Sequence, residues 1–212
     1  MNQQNYGLPR INEKAPDFKA RTTHGEKSLK DYEGKWLVLF SHPADFTPVC
    51  STEFIGFANH QDEFDKINTE LLGLSIDSVY SHIAWVRSLE ENFGVKVKFP
   101  IIEDLSMDVA KAYGMIHPGA GDTSAVRATF IIDPKGVLRA FVYYPMSNGR
   151  SIPEILRLVQ GLQHSDQTGF ATPENWKPGQ ACIVPPPKTT QEAEQRMSSV
   201  HDVTDWYFSK TK

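Results

Sequence analysis

The sequence predicts an α/β protein in which helices flank a mixed β-sheet. Three observations support this class. Short apolar runs alternate with helix-patterned segments in the first half, an antiparallel hairpin pattern follows, and a further helix pattern comes after the hairpin. Alternating strands and helices favour parallel pairing through crossover helices, whereas a hairpin adds antiparallel strands to the sheet. The length of 212 residues suits one full domain with a small appendage.

The first half of the chain predicts strands and helices in alternation. A polar N-terminal arm is expected first. The run KWLVLFS (35–41) then lies between a glycine and a proline, as expected of a buried strand. The segment 47–68 predicts one helix, because its apolar residues recur at spacings of about three and four. These residues are Phe54, Phe57, Ala58, Phe64 and Ile67. Further strands are expected at 70–76 and 99–104, and further helices at 80–94, ending at Gly94, and 106–114.

The second half predicts a hairpin, a helix and then an irregular tail. RATFIID and VLRAFVYY flank the turn PKG, and IPEILRLVQGLQHS (152–165) has a helical pattern. Composition changes near residue 169, where proline and glycine become frequent and regular structure is not expected. We therefore predict a domain over 1–169 and a C-terminal arm over 170–212. A short helix is expected at 190–200, and the aromatic cluster DWYF (205–208) is expected to need cover from water.

Composition excludes several classes of function. The 22 lysines and arginines against 26 acids give a formal net charge of −4, so no basic excess is present to bind nucleic acid. Neither a targeting leader nor an apolar run long enough for a membrane span is apparent, so we expect a soluble, cytoplasmic protein. Cys50 and Cys182 lie far apart in sequence and suggest neither a disulfide scaffold nor a zinc ribbon.

Cys50 occupies a position that favours a thiolate. Thr47 suits a helix N-cap and Pro48 the first helical position, which makes Cys50 the third residue of the first turn. Unpaired backbone N–H groups and the positive end of the helix dipole stabilise negative charge there. Pro43 and Pro48 restrict the loop on both sides of Thr47. A reactive cysteine is one interpretation, and a buried structural cysteine is the other.

Two chemistries are considered first for a reactive Cys50. Thiol–disulfide exchange of the thioredoxin type is disfavoured, because no second cysteine stands at C-x-x-C spacing. A cysteine hydrolase would need a histidine base, and His42, His117 and His164 keep that alternative open.

The segment HPADFTPVCSTEF (42–54) resembles the active-site segment of peroxiredoxins. Its pattern P-x-x-x-T-x-x-C is met by Pro43, Thr47 and Cys50. RATFIIDPKG (127–136) resembles the second active-site element of that family, and NWKPG…IVPPP (175–187) resembles the C-terminal arm of its one-cysteine subgroup. The resemblance covers nearly the whole chain. It implies a thioredoxin-like fold and a thiol-dependent peroxidase that reduces hydrogen peroxide and organic hydroperoxides in antioxidant defence.

The resemblance also implies roles for individual residues. Cys50 would be the peroxidatic nucleophile that becomes a sulfenic acid, and Arg127 the cation that holds its thiolate and the peroxide. Thr47 would hydrogen-bond the peroxide oxygens, and Pro43 would shield the sulfenic acid. Displacement at oxygen needs an exposed thiolate, aligned donors and positive charge, which these residue types can supply. Without the motif, Arg127 would be interpreted as a surface ion-pair residue and Thr47 as an N-cap alone.

Two further residues belong to the implied site. His42 is a candidate for orienting water or peroxide, although a structural role is the alternative. Arg150 resembles a second arginine of the family site.

The chain also departs from some relatives. Ser209 stands where some relatives have a resolving cysteine in a WYFC-like segment, and Cys182 is either a small apolar replacement or itself a resolving cysteine. The stretch YEGKWLVLF (32–40), at the start of the first predicted strand, lacks the serine of a G-x-S-x-G element, so phospholipase activity is not expected.

The resemblance implies no metal and no organic cofactor, because electrons pass through sulfur from an external thiol, either a thioredoxin-like protein or a small thiol. It also implies a homodimer, with a ring of five dimers, a decamer, as the larger alternative. A redox-regulated holdase chaperone or peroxide sensor on the same fold is the competing, non-enzymatic function.

Overall fold

The structure, a computed structural model, describes residues 8–117, 119, 123–198 and 202–211. The chain divides into two units, Met1–Ile152 and Pro153–Lys212. No helix in the described ranges is both long enough and apolar enough to cross a membrane.

The first unit is built on a seven-stranded sheet. Its strands are β1 (Lys19–Thr22), β2 (Gly25–Ser28), β3 (Trp36–Ser41), β4 (Thr69–Ser75), β5 (Ile101–Glu103), β6 (Arg127–Ile132) and β7 (Leu138–Tyr144). Its helices are α1 (Pro48–Asn59), α2 (Gln61–Lys66), α3 (Val79–Phe93) and α4 (Asp108–Ala112), with a 3₁₀ turn at Leu29–Tyr32. The strands and helices predicted from the apolar runs are thus present.

The sheet is mixed, as predicted. Its order is β2-β1-β5-β4-β3-β6-β7, with β3, β4 and β5 parallel and the remaining neighbours antiparallel. In the β3–β6 pair, Phe40 lies opposite Thr129. The start of β6 therefore lies beside the carboxyl end of β3, where the chain turns into α1. This pairing places the first residue of β6 next to the loop 42–47.

Two expectations about the first unit were wrong. The single helix expected over 47–68 is interrupted at His60, whose backbone (φ −101°, ψ 4°) separates α1 from α2 and whose Nδ1 lies 2.8 Å from the Gly56 carbonyl oxygen. A side chain that bonds to the backbone competes with the regular helical ladder. The N-terminal segment, expected to be a polar arm, forms β1 and β2. β2 is the edge strand and β1 lies between it and β5, and Thr22 is the one buried residue of the two strands, so they lack the apolar run that marks a buried strand.

Helix α5 (Ile152–Thr168) begins at the last residue of the first unit and continues into the second. The second unit also contains α6 (Thr190–Arg196), β8 (Asp202–Asp205) and β9 (Phe208–Lys210). The antiparallel pairing of β8 with β9 was not expected in a segment predicted to be irregular. Residues 199 and 200 of the predicted helix lie outside the described residues. Trp176 and Val184 are buried, whereas Trp206, Tyr207 and Phe208 at the hairpin are exposed.

Candidate active site

Cys50 occupies the helix position that the sequence predicted. Helix α1 begins at Pro48, and Thr47 before it has the extended backbone of an N-cap residue (φ −110°, ψ 147°). Cys50 is therefore the third residue of the first turn, where backbone N–H groups and the helix dipole favour an anion. Attack on a peroxide needs an exposed thiolate, whereas the Cys50 side chain is 0% exposed in this structure.

Thr47 and Pro43 lie in the loop between β3 and α1, and both are half-buried. The Thr47 hydroxyl donates to the Ala44 carbonyl oxygen at 2.9 Å and makes no side-chain cap on the helix. Thr47 thus has the N-cap position without the N-cap hydrogen bond. Because its hydrogen is directed to Ala44, its lone pairs remain able to accept a hydrogen bond.

Arg127 brings the second predicted element to Cys50. It is the first residue of β6 and 3% exposed, and its Nη1 lies 3.3 Å from Cys50 Sγ. Its Nε donates to the Met146 carbonyl oxygen at 2.8 Å, which fixes the guanidinium plane. The interpretation of Arg127 as a surface ion-pair residue is therefore wrong. Arg127 thus places a positive charge beside the Cys50 sulfur.

Glu53 is the residue of this site that the sequence analysis missed. It lies one helical turn after Cys50 and is 2% exposed. Its Oε2 accepts from Arg127 Nη1 and from Arg150 Nη2, each at 2.7 Å. Its Oε1 accepts from the Arg150 backbone N–H at 2.7 Å and from Arg150 Nε at 2.9 Å. The signal was the spacing of three from Cys50, which puts an acid on the same helix side as the thiol.

The two arginines determine the ionisation of Glu53. Burial raises the pKa of a carboxyl, but the hydrogen bonds and charge of Arg150, together with the charge of Arg127, outweigh burial and lower the pKa of Glu53. Glu53 therefore stays a carboxylate that orients both guanidinium groups.

Arg150 lies in this network without a direct bond to Cys50. It is 7% exposed, and its Nη1 donates to the Ala128 carbonyl oxygen at 2.7 Å and to Thr129 Oγ1 at 3.2 Å. Its guanidinium also lies 5.5 Å from the ring centre of Phe40. Arg150 thus connects α1, through Glu53, to strands β3 and β6.

His42 belongs to a separate buried cluster. Its Nε2 lies 2.8 Å from Asp45 Oδ1, and Asp45 Oδ2 lies 2.8 Å from His82 Nδ1 on α3. Burial lowers the pKa of His42 below its ordinary value. Burial would raise the pKa of Asp45, but its hydrogen bonds to the two imidazoles hold that pKa well below the usual range. Among the residues that the structure describes, no histidine hydrogen-bonds to the Cys50 sulfur, so the hydrolase alternative lacks its base.

The donor atoms of His42, Asp45 and His82 lie within 4.8 Å of one another, a separation compatible with a metal site. Both carboxylate oxygens already face an imidazole nitrogen at hydrogen-bond distance. We therefore assign no metal to this cluster.

Cys182 lies in the second unit and is 2% exposed. Its Sγ lies 3.1 Å from His164 Nε2, and the His164 ring packs on Trp176 with 4.8 Å between ring centres. The Cys182 backbone N–H donates to Thr211 Oγ1 at 3.0 Å. The side chain thus has a polar partner and is more than a small apolar replacement.

Two family models match the chain. The model described as the AhpC/TSA family matches residues 11–141, and the model described as the C-terminal domain of 1-Cys peroxiredoxin matches residues 161–199. A peroxiredoxin of Aquifex aeolicus is 51% identical, with 97% of each chain covered. Peroxiredoxin 2 of Caldanaerobacter subterraneus is 53% identical, covering 97% of this chain and 94% of the relative.

Solved structures are similar over the same extent. A yeast mitochondrial 1-Cys peroxiredoxin, studied for thiol resolution via glutathione/thioredoxin systems, superposes with a TM-score of 0.86 at 40% identity, covering 97% of this chain and 100% of that one. A cysteine-to-serine mutant of Peroxiredoxin 6 of Arenicola marina gives a TM-score of 0.84 at 34% identity, covering 96% and 97%. The predicted thioredoxin-like fold is confirmed by these neighbours.

Proposed function

Because the chain belongs to the peroxiredoxins, a family of thiol-dependent peroxidases, we propose that Cys50 is the residue that attacks the peroxide. The contact that carries this assignment is the 3.3 Å approach of Arg127 Nη1 to the Cys50 sulfur in the first turn of α1. The thiolate attacks one peroxide oxygen and the O–O bond breaks, giving a Cys50 sulfenic acid and a hydroxide or alkoxide. The leaving oxygen takes up a proton from solvent, equal to the one released when the thiol ionised, and becomes water or an alcohol. The holdase or sensor alternative is not favoured by relatives that match the chain at this level.

Arg127, Thr47 and Pro43 take the roles around the reacting atoms. Arg127 stabilises the thiolate and the negative charge that develops on the leaving oxygen. The Thr47 hydroxyl hydrogen-bonds the peroxide, accepting its O–H while its own hydrogen stays on the Ala44 carbonyl oxygen. Pro43 covers the sulfenic acid against solvent.

Arg150 and His42 support this arrangement by orienting other groups of the site. Arg150 holds Glu53, which in turn holds Arg127, so the cation at Cys50 is oriented before a peroxide arrives. His42, adjacent to Pro43, orients water or peroxide.

An external thiol returns the sulfenic acid to the thiol. The reductant is a thioredoxin-like protein or a small thiol, and the yeast neighbour studied with glutathione and thioredoxin systems supports this class. We propose that no metal and no organic cofactor takes part. A resolving role for Cys182 is the alternative, and its bond to His164 would have to break before a disulfide formed.

A peroxide titration with intact-mass detection tests these assignments. The wild type should gain one oxygen at Cys50 without an obligatory disulfide, and Cys50→Ser should lose peroxidase turnover with a thiol donor. Cys182→Ser is the matched control and should keep turnover. Substantial activity in Cys50→Ser would place the nucleophile elsewhere, and a disulfide that disappears in Cys182→Ser would establish the resolving role.

We also propose that the arm 170–212 mediates a homodimer, and that five dimers in a ring are the larger alternative. Trp206, Tyr207 and Phe208 are 48%, 54% and 37% exposed at the tip of the β8–β9 hairpin. Such an aromatic cluster is the kind of surface that protein interfaces cover. A twofold exchange of arms would bury it reciprocally.

Sedimentation of Trp206→Ser/Tyr207→Ser at micromolar concentration tests this assembly. The variant should dissociate relative to wild type, while Leu105→Ser, which removes a side chain 60% exposed in the first unit, should not. A fully active wild-type monomer would refute the proposal.

We place the enzyme in the cytoplasm, and cell fractionation tests this location.

A further inference from the structure

Ser41, the last residue of β3, makes two hydrogen bonds to the backbone on either side of Arg127. The Ser41 side chain is 0% exposed. Its Oγ lies 2.6 Å from the Val126 carbonyl oxygen and 3.1 Å from the Ala128 backbone nitrogen. A carbonyl oxygen can only accept and a backbone N–H can only donate, so the hydroxyl donates to Val126 and accepts from Ala128. The direction of each bond is thus determined by its partner.

The Ser41 side chain bonds to β6 where the pairing of β6 with β3 ends. The last pair in the register of these two strands is Phe40 with Thr129. On its other side β3 stays paired with β4 as far as Ser41, which lies opposite Leu74. The Ser41 hydroxyl therefore contacts the beginning of β6 one residue beyond the last pair, and it does so from a backbone that β4 holds in place.

The backbone forms a tight turn centred on Arg127. The Ala128 backbone N–H also donates to the Val126 carbonyl oxygen at 2.9 Å, which closes a three-residue turn with Arg127 in the middle. Opening this turn would move the Ala128 nitrogen and the Val126 oxygen apart. The Ser41 hydroxyl resists that movement because it bonds to both atoms. The backbone from which the Arg127 side chain leaves is thus fixed by β3.

The Arg127 side chain extends from this turn to the thiol. Its Nη1 lies 3.3 Å from Cys50 Sγ, and its Nε donates to the Met146 carbonyl oxygen at 2.8 Å. The guanidinium can keep these distances only while the backbone of Arg127 keeps its place. A donor that must meet charge developing on a reacting oxygen is effective over a narrow range of positions.

We propose that Ser41 is a positioning residue of the peroxidase: its hydroxyl fixes the backbone turn at Arg127 and so sets the position of the guanidinium at the Cys50 sulfur. The kinetic consequence rests on the proposed function of Cys50, whereas the turn itself does not. Ser41→Ala removes the hydroxyl alone. Val126 and Ala128 keep their bond to each other, so neither buried backbone group is left without a partner and the variant should fold.

Stopped-flow peroxide kinetics test this role. Ser41→Ala should reduce peroxide about tenfold more slowly, less than the roughly hundredfold that a misplacement of about 1 Å can cost. Thr22→Val on β1 is the matched control, because the buried Thr22 hydroxyl also donates to a carbonyl oxygen, that of Gly25 at 2.7 Å, and accepts from a backbone N–H, that of His24 at 3.0 Å. Thr22→Val should lose stability to urea and keep the wild-type rate. An unchanged rate in Ser41→Ala would refute the positioning role.

A double-mutant cycle with Arg127→Ala separates positioning of the arginine from a general structural role. If Ser41 acts through Arg127, Ser41→Ala should change the rate of the Arg127→Ala variant by less than about twofold. An undiminished loss of rate in that background would show that Ser41 acts by another route, such as the loop that carries Pro43, and would refute the proposal.

NMR of arginine labelled with nitrogen-15 gives a readout that does not depend on activity. The Arg127 Nε–H should exchange with solvent faster in Ser41→Ala than in the wild type, and Thr22→Val should leave its exchange unchanged. If Ser41→Ala folds poorly, Ser41→Thr and Ser41→Val form a pair of equal size in which only threonine has a hydroxyl. The threonine variant should then reduce peroxide faster than the valine variant. Unchanged exchange in Ser41→Ala, or equal rates in the pair, would overturn the proposal.

The outcomes separate this proposal from the function of Cys50. Activity retained in Cys50→Ser would refute the proposed nucleophile and leave the exchange of Arg127 Nε–H as expected. Loss of activity in Cys50→Ser together with unchanged exchange in Ser41→Ala would support the nucleophile and refute the role of Ser41.

Discussion

Glu53→Gln is the substitution that best tests how the cation at Cys50 is held. The change keeps the size of the side chain and removes one negative charge. Four hydrogen bonds converge on the Glu53 carboxylate, two on each oxygen. In the variant, one oxygen can still accept from the Arg150 backbone N–H and Nε. The new amide NH₂ then faces Arg127 Nη1 and Arg150 Nη2, so donors oppose donors.

The magnitude follows from the two lost bonds. A hydrogen bond to a charged group contributes roughly 1.5–3 kcal/mol, so losing two costs about 3–6 kcal/mol. Removing one partner of a buried ion pair costs a similar amount, about 3–5 kcal/mol. All three side chains are at most 3% exposed, so solvent screens them little. We expect the free energy of unfolding to fall by about 4 kcal/mol.

Urea denaturation at neutral pH and fixed protein concentration measures this loss. The matched control is Glu63→Gln on α2, whose side chain is 54% exposed and 3.9 Å from His60. We expect that control to change stability by less than about 0.5 kcal/mol. Peroxide reduction by Glu53→Gln should also slow, because Arg127 loses the group that orients it. A loss of stability below about 1 kcal/mol would show that the buried carboxylate does not hold the arginines as argued.

Three further expectations follow from the same contacts. Arg127→Ala should slow peroxide reduction by about a hundredfold in stopped-flow kinetics, whereas the exposed Arg21→Ala should not. Cys182→Ala should keep turnover with a small thiol and lose about 1 kcal/mol of unfolding free energy with its His164 bond, and a complete loss of turnover would contradict this. Asp45 and Glu53 have folded pKa values below their ordinary 3.8 and 4.5, so the stability they contribute is present above those values and declines as pH falls below them. Urea titrations between neutral and acid pH should show this decline, and it should be smaller in Glu53→Gln.

The positions that could be predicted are those set by neighbours in sequence. Helix α1 begins at Pro48 and Cys50 falls in its first turn because capping and proline preferences act over a few residues. The buried strands were predictable for the same reason, since β3 is apolar from Trp36 to Phe40. The interruption at His60 and the largely unburied strands β1 and β2 were missed, because their local patterns resemble a continuous helix and a polar arm.

The environment of the thiol depended on contacts between distant parts of the chain. Glu53 receives Arg127 and Arg150 from 74 and 97 residues away, and His82 meets Asp45 across 37 residues. Residue types and spacing along the chain indicate that an arginine is available, but strand pairing decides which side chain it meets. Burial of Cys50 was decided in the same way, because solvent exposure depends on packing across the sheet and cannot be derived from the first turn of one helix.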